Sequence, residues 1–316
     1  MGPVIPDRHY TPPLTGRKKS RMPCGYSMIL VFAWQSGQSH AAFFISIWLH
    51  SCLQRAILFL WPAIQRPARQ MKRPAMTSKL HYQNRGSYGD KIIPAADMPS
   101  LPPPPYTNSF PVKLPDGDWA ELPFLALPED FNTAIAYLCI TENSFDLEDR
   151  LSTAMADLAR PLAPDIVVGM PTLGMVLAAS VAKKLGHPYY VPLSYSRKFW
   201  FEDELSTPVV SITSPLKPKT VFIDPRMLSR LEGKRILLVE DVISTGGTVL
   251  AELELMKKLG GTVVGVITAI KETNVWQKTL GDASPDYPAL VHAPISCPLF
   301  RKVTGGWAPD MSTMPD

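Results

Sequence analysis

From Tyr106 onward the chain alternates short apolar runs with polar, Gly- and Pro-containing turns. Leu147, Leu151, Met155 and Leu158 recur at intervals of 4, 4 and 3, which predicts one buried face of a helix over Leu147–Leu158. A second helix is expected over Phe131–Cys139, and a third over Met175–Leu185 with Gly186 as its C-terminal stop. Ile166–Gly169, Tyr189–Leu193, Val209–Thr213, Thr220–Ile223, Arg235–Val239 and Thr262–Ile270 read as strands. Of these, Ile166-Val167-Val168-Gly169 has the pattern of a strand covered on both faces, and Arg235–Val239, with Ile236, Leu237, Leu238 and Val239 in a row, is the strongest. Val249–Leu259 reads as an amphipathic helix with Leu250, Leu253, Met256 and Leu259 inward and Glu252, Glu254, Lys257 and Lys258 outward. Strand, helix and strand joined by short loops predict an α/β fold: a twisted parallel sheet flanked by helices, its connections right-handed.

The first third has a different character. Residues 1–105 carry 13 Lys+Arg against 3 Asp+Glu, whereas residues 106–316 carry 19 against 25, so the overall charge of +4 conceals a basic arm on a mildly acidic body. That balance argues against a nucleic-acid surface on the body. The apolar stretch Tyr26–Ile64 is broken by Gln35–His40 and by Arg55, and its better half, Ala41–Leu49, falls short of the about 20 residues a membrane span needs. A membrane segment, an acid-poor organelle transit peptide and an inert extension all fit this composition. The Pro-rich residues 94–105 read as an extended linker, which sets the expected boundary between a non-globular extension (1–105) and a folded domain (106–316). Cys24, Cys52, Cys139 and Cys297 are widely spaced, and the six histidines show no ligand spacing. Neither a zinc site nor a disulfide framework is expected, and a reducing compartment fits best.

Candidate chemistry concentrates at Ile236–Thr248. A buried strand ends in two acids, Glu240 and Asp241, at the carboxyl edge where open α/β sheets bind ligands. Ser244-Thr245-Gly246-Gly247-Thr248 follows and opens onto a helix, so its backbone N–H groups can cradle an anion. The loop lacks the lysine of nucleoside triphosphatases, and no G-x-G-x-x-G occurs, which leaves a single phosphate beside two acceptors for sugar hydroxyls.

All thirteen positions of 236–248 resemble the phosphoribosyl-pyrophosphate (PRPP) motif of type I phosphoribosyltransferases, and the likeness extends over about residues 125–275. The resemblance implies a phosphoribosyltransferase fold with a small hood, and transfer of 5-phosphoribosyl from PRPP to a nucleobase with release of pyrophosphate. It implies Glu240 and Asp241 at the ribose, and Ser244, Thr245, Gly246, Gly247 and Thr248 at the 5′-phosphate. It further implies Thr172, Leu173 and Gly174 at the pyrophosphate, and Arg197 with Lys198 on a closing loop over the reacting centre. Lys271, Glu272 and Thr273 would meet the base, with Trp276, Phe124 or Phe145 as candidate stacking rings. The Arg197-Lys198 pair followed by Ser211-Ile212-Thr213 is similar to the adenine and xanthine branch, so a purine is the expected acceptor and nucleotide salvage the expected role. Phe199-Trp200-Phe201 and the three acids after it depart from the family pattern. Mg²⁺ carried mainly by PRPP and a homodimer follow from the same resemblance; no direct metal ligand is expected, and the expected location is cytoplasmic, with a mitochondrial location as the alternative the basic arm allows. Two other readings stay open: a PRPP-binding regulator without catalysis, and a membrane-anchored protein whose function lies in residues 1–105.

Overall fold

A computed structural model describes residues 91–127, 131–209 and 219–316. The chain divides into two units, Met1–Lys79 and Leu80–Asp316, and every described residue belongs to the second. The basic and apolar arm up to residue 90, and Ser211-Ile212-Thr213, lie outside the described residues.

The described chain opens with four strands, β1 (Ile92–Ile93), β2 (Ser109–Lys113), β3 (Trp119–Ala126) and β4 (Thr133–Ala136). Helix α1 (Phe145–Ala159) follows, started by Ser144, whose Oγ accepts the Leu147 N–H. Next come β5 (Ile166–Gly169), α2 (Gly174–Leu185), β6 (Val191–Pro192), β7 (Ser206–Val209) and β8 (Lys219–Phe222). The central pair is β9 (Arg235–Ile243) and β10 (Thr262–Glu272), with α3 (Gly247–Lys258) between them and α4 (Val275–Ala283) after them. The remainder holds β11 (Val291–His292), β12 (Ile295–Cys297), β13 (Leu299–Val303) and β14 (Gly306–Asp310).

Two sheets organise these elements. The parallel sheet runs β11-β10-β9-β5-β6, with β12 also pairing β10 in parallel. Its apolar strands are buried on both faces. Leu237 and Val239 join the core under α1 and α2, while Ile236 and Leu238 join the core under α3 and α4. The hood is an antiparallel sheet in the order β1-β3-β4-β13-β14, with β2 on β3. Hood residues Phe110, Leu122, Phe300 and Trp307 belong to the same core cluster as Leu151 of α1 and Leu177 of α2. The hood is therefore fastened to the sheet by shared apolar burial. A separate antiparallel pair, β7–β8, packs beside α3.

Several expectations need correction. Phe131–Cys139 is not a helix: Thr133–Ala136 is a fully buried strand held between β3 and β13, and cross-strand pairing overrides the helical preference of its alanines. Glu252 does not face solvent but is 0% exposed, and Leu255 is buried as well, because the β7–β8 pair covers a second side of α3. The folded unit also reaches upstream of Tyr106. Ile92 and Ile93 pair with Ala120 and Trp119, and Trp119 Nε1 donates to the Met98 carbonyl at 2.8 Å. Residues 94–105 are mostly exposed, as a solvated segment should be, but they are anchored to the hood. Downstream of Gly281, where the sequence predicts little, the chain returns to complete both sheets.

Candidate active site

The carboxyl ends of β5 and β9 open into one cavity of about 360 Å³. Thr172 and Leu173 line it from the turn after β5. Glu240, Asp241, Ser244, Thr245, Gly246 and Thr248 line it from the end of β9 and the loop into α3. Glu272, at the end of β10, completes the sheet side, and Ile135, Tyr137 and Leu138 close it from the hood. Two segments some 70 residues apart thus share one site because their strands pair side by side, Gly169 against Val239.

Glycines make the close approaches there. A Cβ on Gly174 would sit 2.8 Å from the Val239 carbonyl oxygen and 3.1 Å from Glu240 Oε1, so any side chain would press on the backbone that carries the acid. Gly246 has φ +81° and lies against Trp276, where a Cβ would come within 3.1 Å of the Trp276 Cα. This left-handed residue turns the chain from β9 into α3, leaving the first N–H groups of the helix unpaired within it. The Pro171–Thr172 peptide is cis.

Acidic side chains dominate the electrostatics of the cavity. Glu240 is 7% exposed, and its Oε1 accepts the Asp241 N–H at 3.1 Å. Burial holds its carboxyl well above the usual range, and the charges of Asp241 and Glu252 add to the rise. Glu252, one helical turn beyond Thr248, has both carboxylate oxygens buried and without a hydrogen-bond partner among the described residues. Burial alone pushes its carboxyl up. Glu272 is 2% exposed and pushed up to about 8, chiefly by burial, with the Ser244 hydroxyl opposing the rise and Asp241 adding to it. Tyr195 is pushed up to about 12 by burial and then by Glu240, Glu252 and Asp241. Among the described residues, the cationic side chain lining the cavity is Lys219, whose Nζ stands 4.8 Å from the Tyr195 ring centre. The Ser244 hydroxyl is buried beside the Glu272 carboxyl.

Of the expected residues, Gly174 packs against Glu240 and Gly247 begins α3, both without lining the cavity, and neither Lys271 nor Thr273 lines it. Lys271 Nζ points to the Asp316 carbonyl at 3.4 Å, and Thr273 Oγ1 accepts the Val275 N–H at 2.9 Å. Arg197 and Lys198 also stand outside the lining. Arg197 pairs with Asp203 at 3.0 Å, and Lys198 Nζ is 3.3 Å from Ser196 Oγ. The aromatic run after them has a structural use. Trp200 Nε1 donates to Asp224 at 3.1 Å beneath the Arg226 guanidinium, and Phe201 packs on Phe222. None of the three candidate stacking rings reaches the cavity. Phe145 is 90% exposed, Trp276 is buried, and Phe124 packs on Phe300 and Trp307. Tyr137, Tyr195 and Lys219 were missed as site residues. Tyr137 follows β4 in the stretch read as a helix, Tyr195 stands in a loop and Lys219 opens β8, and no local signal distinguishes them.

With this geometry in view, residues 144–284 match the family described as the phosphoribosyl transferase domain. Relatives include adenine phosphoribosyltransferase of Thermobifida fusca, 35% identical over 119 residues (37% of this chain, 64% of the relative). Another is that of Oenococcus oeni, 32% identical over 111 residues (35% and 59%). The chain thus spans about 60% of the length of these relatives. Among solved structures, adenine phosphoribosyltransferase of Rhodothermus marinus is 25% identical, with 48% of this chain and 77% of that one covered at a TM-score of 0.37. A strand ending in two acids, a left-handed glycine turning into a helix, and the family match fall together in residues 144–284, the part of this chain that is similar to the phosphoribosyl transferase domain.

Proposed function

We propose that the protein transfers the 5-phosphoribosyl group of PRPP to a ring nitrogen of a purine base and releases pyrophosphate. The observation that carries this reading is the single cavity shared by the turn after β5 and the acid-and-glycine loop after β9. The resemblance assigns those two segments to the two ends of PRPP.

In this reading the N–H groups of Thr245–Thr248 and the Ser244 hydroxyl take the 5′-phosphate, with the N-terminus of α3 behind them. Glu240 and Asp241 accept from the ribose hydroxyls and stabilise positive charge as the C1–O bond opens. Thr172 and Leu173 face the leaving pyrophosphate. Lys219 is already at the cavity to offset its charge, and Arg197 and Lys198 join when their loop moves inward. The catalytic demand is positioning, charge stabilisation and exclusion of water. The hard oxygen donors of Glu240 and Asp241 suit Mg²⁺ brought in on PRPP, and when bound it neutralises the leaving group. The purine assignment draws support from relatives named adenine phosphoribosyltransferase.

The test is pyrophosphate release by the full chain from PRPP and Mg²⁺, with adenine, guanine, hypoxanthine, xanthine, orotate and uracil offered singly. Release with a purine is expected. Turnover with orotate or uracil alone would overturn the purine assignment. Tight PRPP binding without release for any base would replace the enzyme with a regulator.

A further inference from the structure

Pyrophosphate is the most highly charged part of PRPP, and three carboxyl groups, Glu240, Asp241 and Glu272, line the cavity that would receive it. The opposing charge has to come from a side chain already in place or from one that moves in. Among the described residues, Lys219 is the cation lining the cavity. It is the first residue of β8. A lysine at the start of a strand ordinarily sweeps through solvent on a four-carbon stem, and fixing it on binding carries an entropic cost.

Tyr195 lowers that cost. Its ring lines the same cavity and packs against the core under α3 and α4, which keeps it from swinging away. The Lys219 Nζ stands over this ring, 4.8 Å from its centre, within the about 6 Å at which an ammonium is attracted to an aromatic face. The backbones under the two side chains are tied together as well. Ser194, next to Tyr195, exchanges backbone hydrogen bonds with Phe222 of β8 at 2.9 and 2.8 Å, and Lys219 pairs with Val209 at the start of that strand. Arg197 and Lys198, by contrast, lie between two fastenings. Ser194 is bonded to Phe222 on one side; on the other, Trp200 Nε1 donates to Asp224 at 3.1 Å and Phe201 is buried against Phe222. Arg197 is also paired with Asp203 at 3.0 Å. Bringing either loop cation inward breaks contacts, whereas Lys219 is at the cavity from the outset.

We propose that Tyr195 is a positioning residue that holds Lys219 on its ring as the pre-set cation for the leaving pyrophosphate, ahead of any movement of the Arg197–Lys198 loop. The inference rests on the phosphoribosyltransferase reading and assigns that site a cation and the ring that presents it. When the C1–O bond opens, both its electrons pass to the pyrophosphate oxygen. Lys219 meets the charge that builds there without first having to be immobilised. The phenol hydroxyl takes no part in this; the face of the ring does.

The experiment measures calorimetric affinities of the full chain for PRPP and for ribose 5-phosphate, with Mg²⁺ and without a base, so that no transfer runs. The ratio of the two isolates the pyrophosphate end. Lys219→Met should lower the ratio roughly tenfold and leave ribose 5-phosphate binding unchanged. Tyr195→Leu, or Tyr195→Met where the smaller side chain unfolds the protein, should lower it roughly fivefold. Tyr195→Phe, which keeps the ring and loses the hydroxyl, should match the wild type. In the double variant the loss of the ring should add nothing to Lys219→Met, because the ring acts only through the ammonium. A Lys219→Met ratio equal to that of the wild type would overturn the proposal. So would a ringless variant that holds PRPP as tightly as the wild type, a Phe variant as weak as the ringless one, or additive losses in the double variant. Failure of the wild type to bind ribose 5-phosphate at all would instead overturn the phosphoribosyltransferase reading beneath it.

Discussion

Glu252 shows how much a single residue can hide in a helical pattern. Its position among Glu254, Lys257 and Lys258 reads as solvent-facing, yet it is fully buried and its oxygens have no partner among the described residues. A carboxyl raised above its unfolded value binds a proton more tightly in the native state than in the unfolded chain. Stability is then lost as pH rises from the unfolded value through the native one. Glu252→Gln removes that slope. In urea titrations across a pH series, the midpoint of the variant should gain on the wild type steadily above about pH 5. Parallel midpoints at every pH would mean that Glu252 is charged and paired in solution. The acids Glu240 and Asp241 were legible because a strand of four apolar residues pointed at them, whereas Glu252 was not, because burial by β7–β8 leaves no trace in the helix itself.

At the scale of elements, the loop between β9 and α3 carries the site. Its geometry depends on Gly246, which is left-handed and presses on Trp276 of α4. Gly246→Ala should cost roughly 1–2 kcal/mol for the left-handed backbone alone. It should also lower ribose 5-phosphate affinity by rotating the N–H groups of Thr245–Thr248. Thermal melts and calorimetry together check both effects, and an alanine variant that binds as tightly as the wild type would remove the loop from the phosphate site. This element could be read locally, since residues adjacent in sequence form it. The stretch over Phe131–Cys139 could not: Ala134, Ile135 and Ala136 suit either helix or strand, and only β3 and β13 on its two sides settle the matter.

At the scale of the whole molecule, the hood and the parallel sheet share a core through residues separated by nearly the whole described chain. Phe300 of β13 is fully buried against Phe110 of β2 and Phe124 of β3, in one cluster with Leu151 and Leu177. Phe300→Ala should destabilise the protein by roughly 3–5 kcal/mol. The loss should appear as one cooperative transition by both tryptophan fluorescence and circular dichroism. Two separated transitions would show that the hood unfolds alone, and the hood wall at Ile135, Tyr137 and Leu138 would then be an independent lid.

What the sequence by itself determined is local. It holds the apolar strand ending in two acids, the glycine turn into a helix and the second β–α turn at Thr172–Gly174, because each is built from neighbours whose backbone preferences need no distant partner. The tertiary structure decided what distance along the chain conceals. It chose Glu272 over Lys271 and Thr273, admitted Lys219 and Tyr195 to the cavity, kept Arg197 and Lys198 outside it, and buried Glu252. A side chain's solvent exposure and charge depend on what packs across from it. That partner lies 30 to 170 residues away in this fold, beyond the reach of any local pattern.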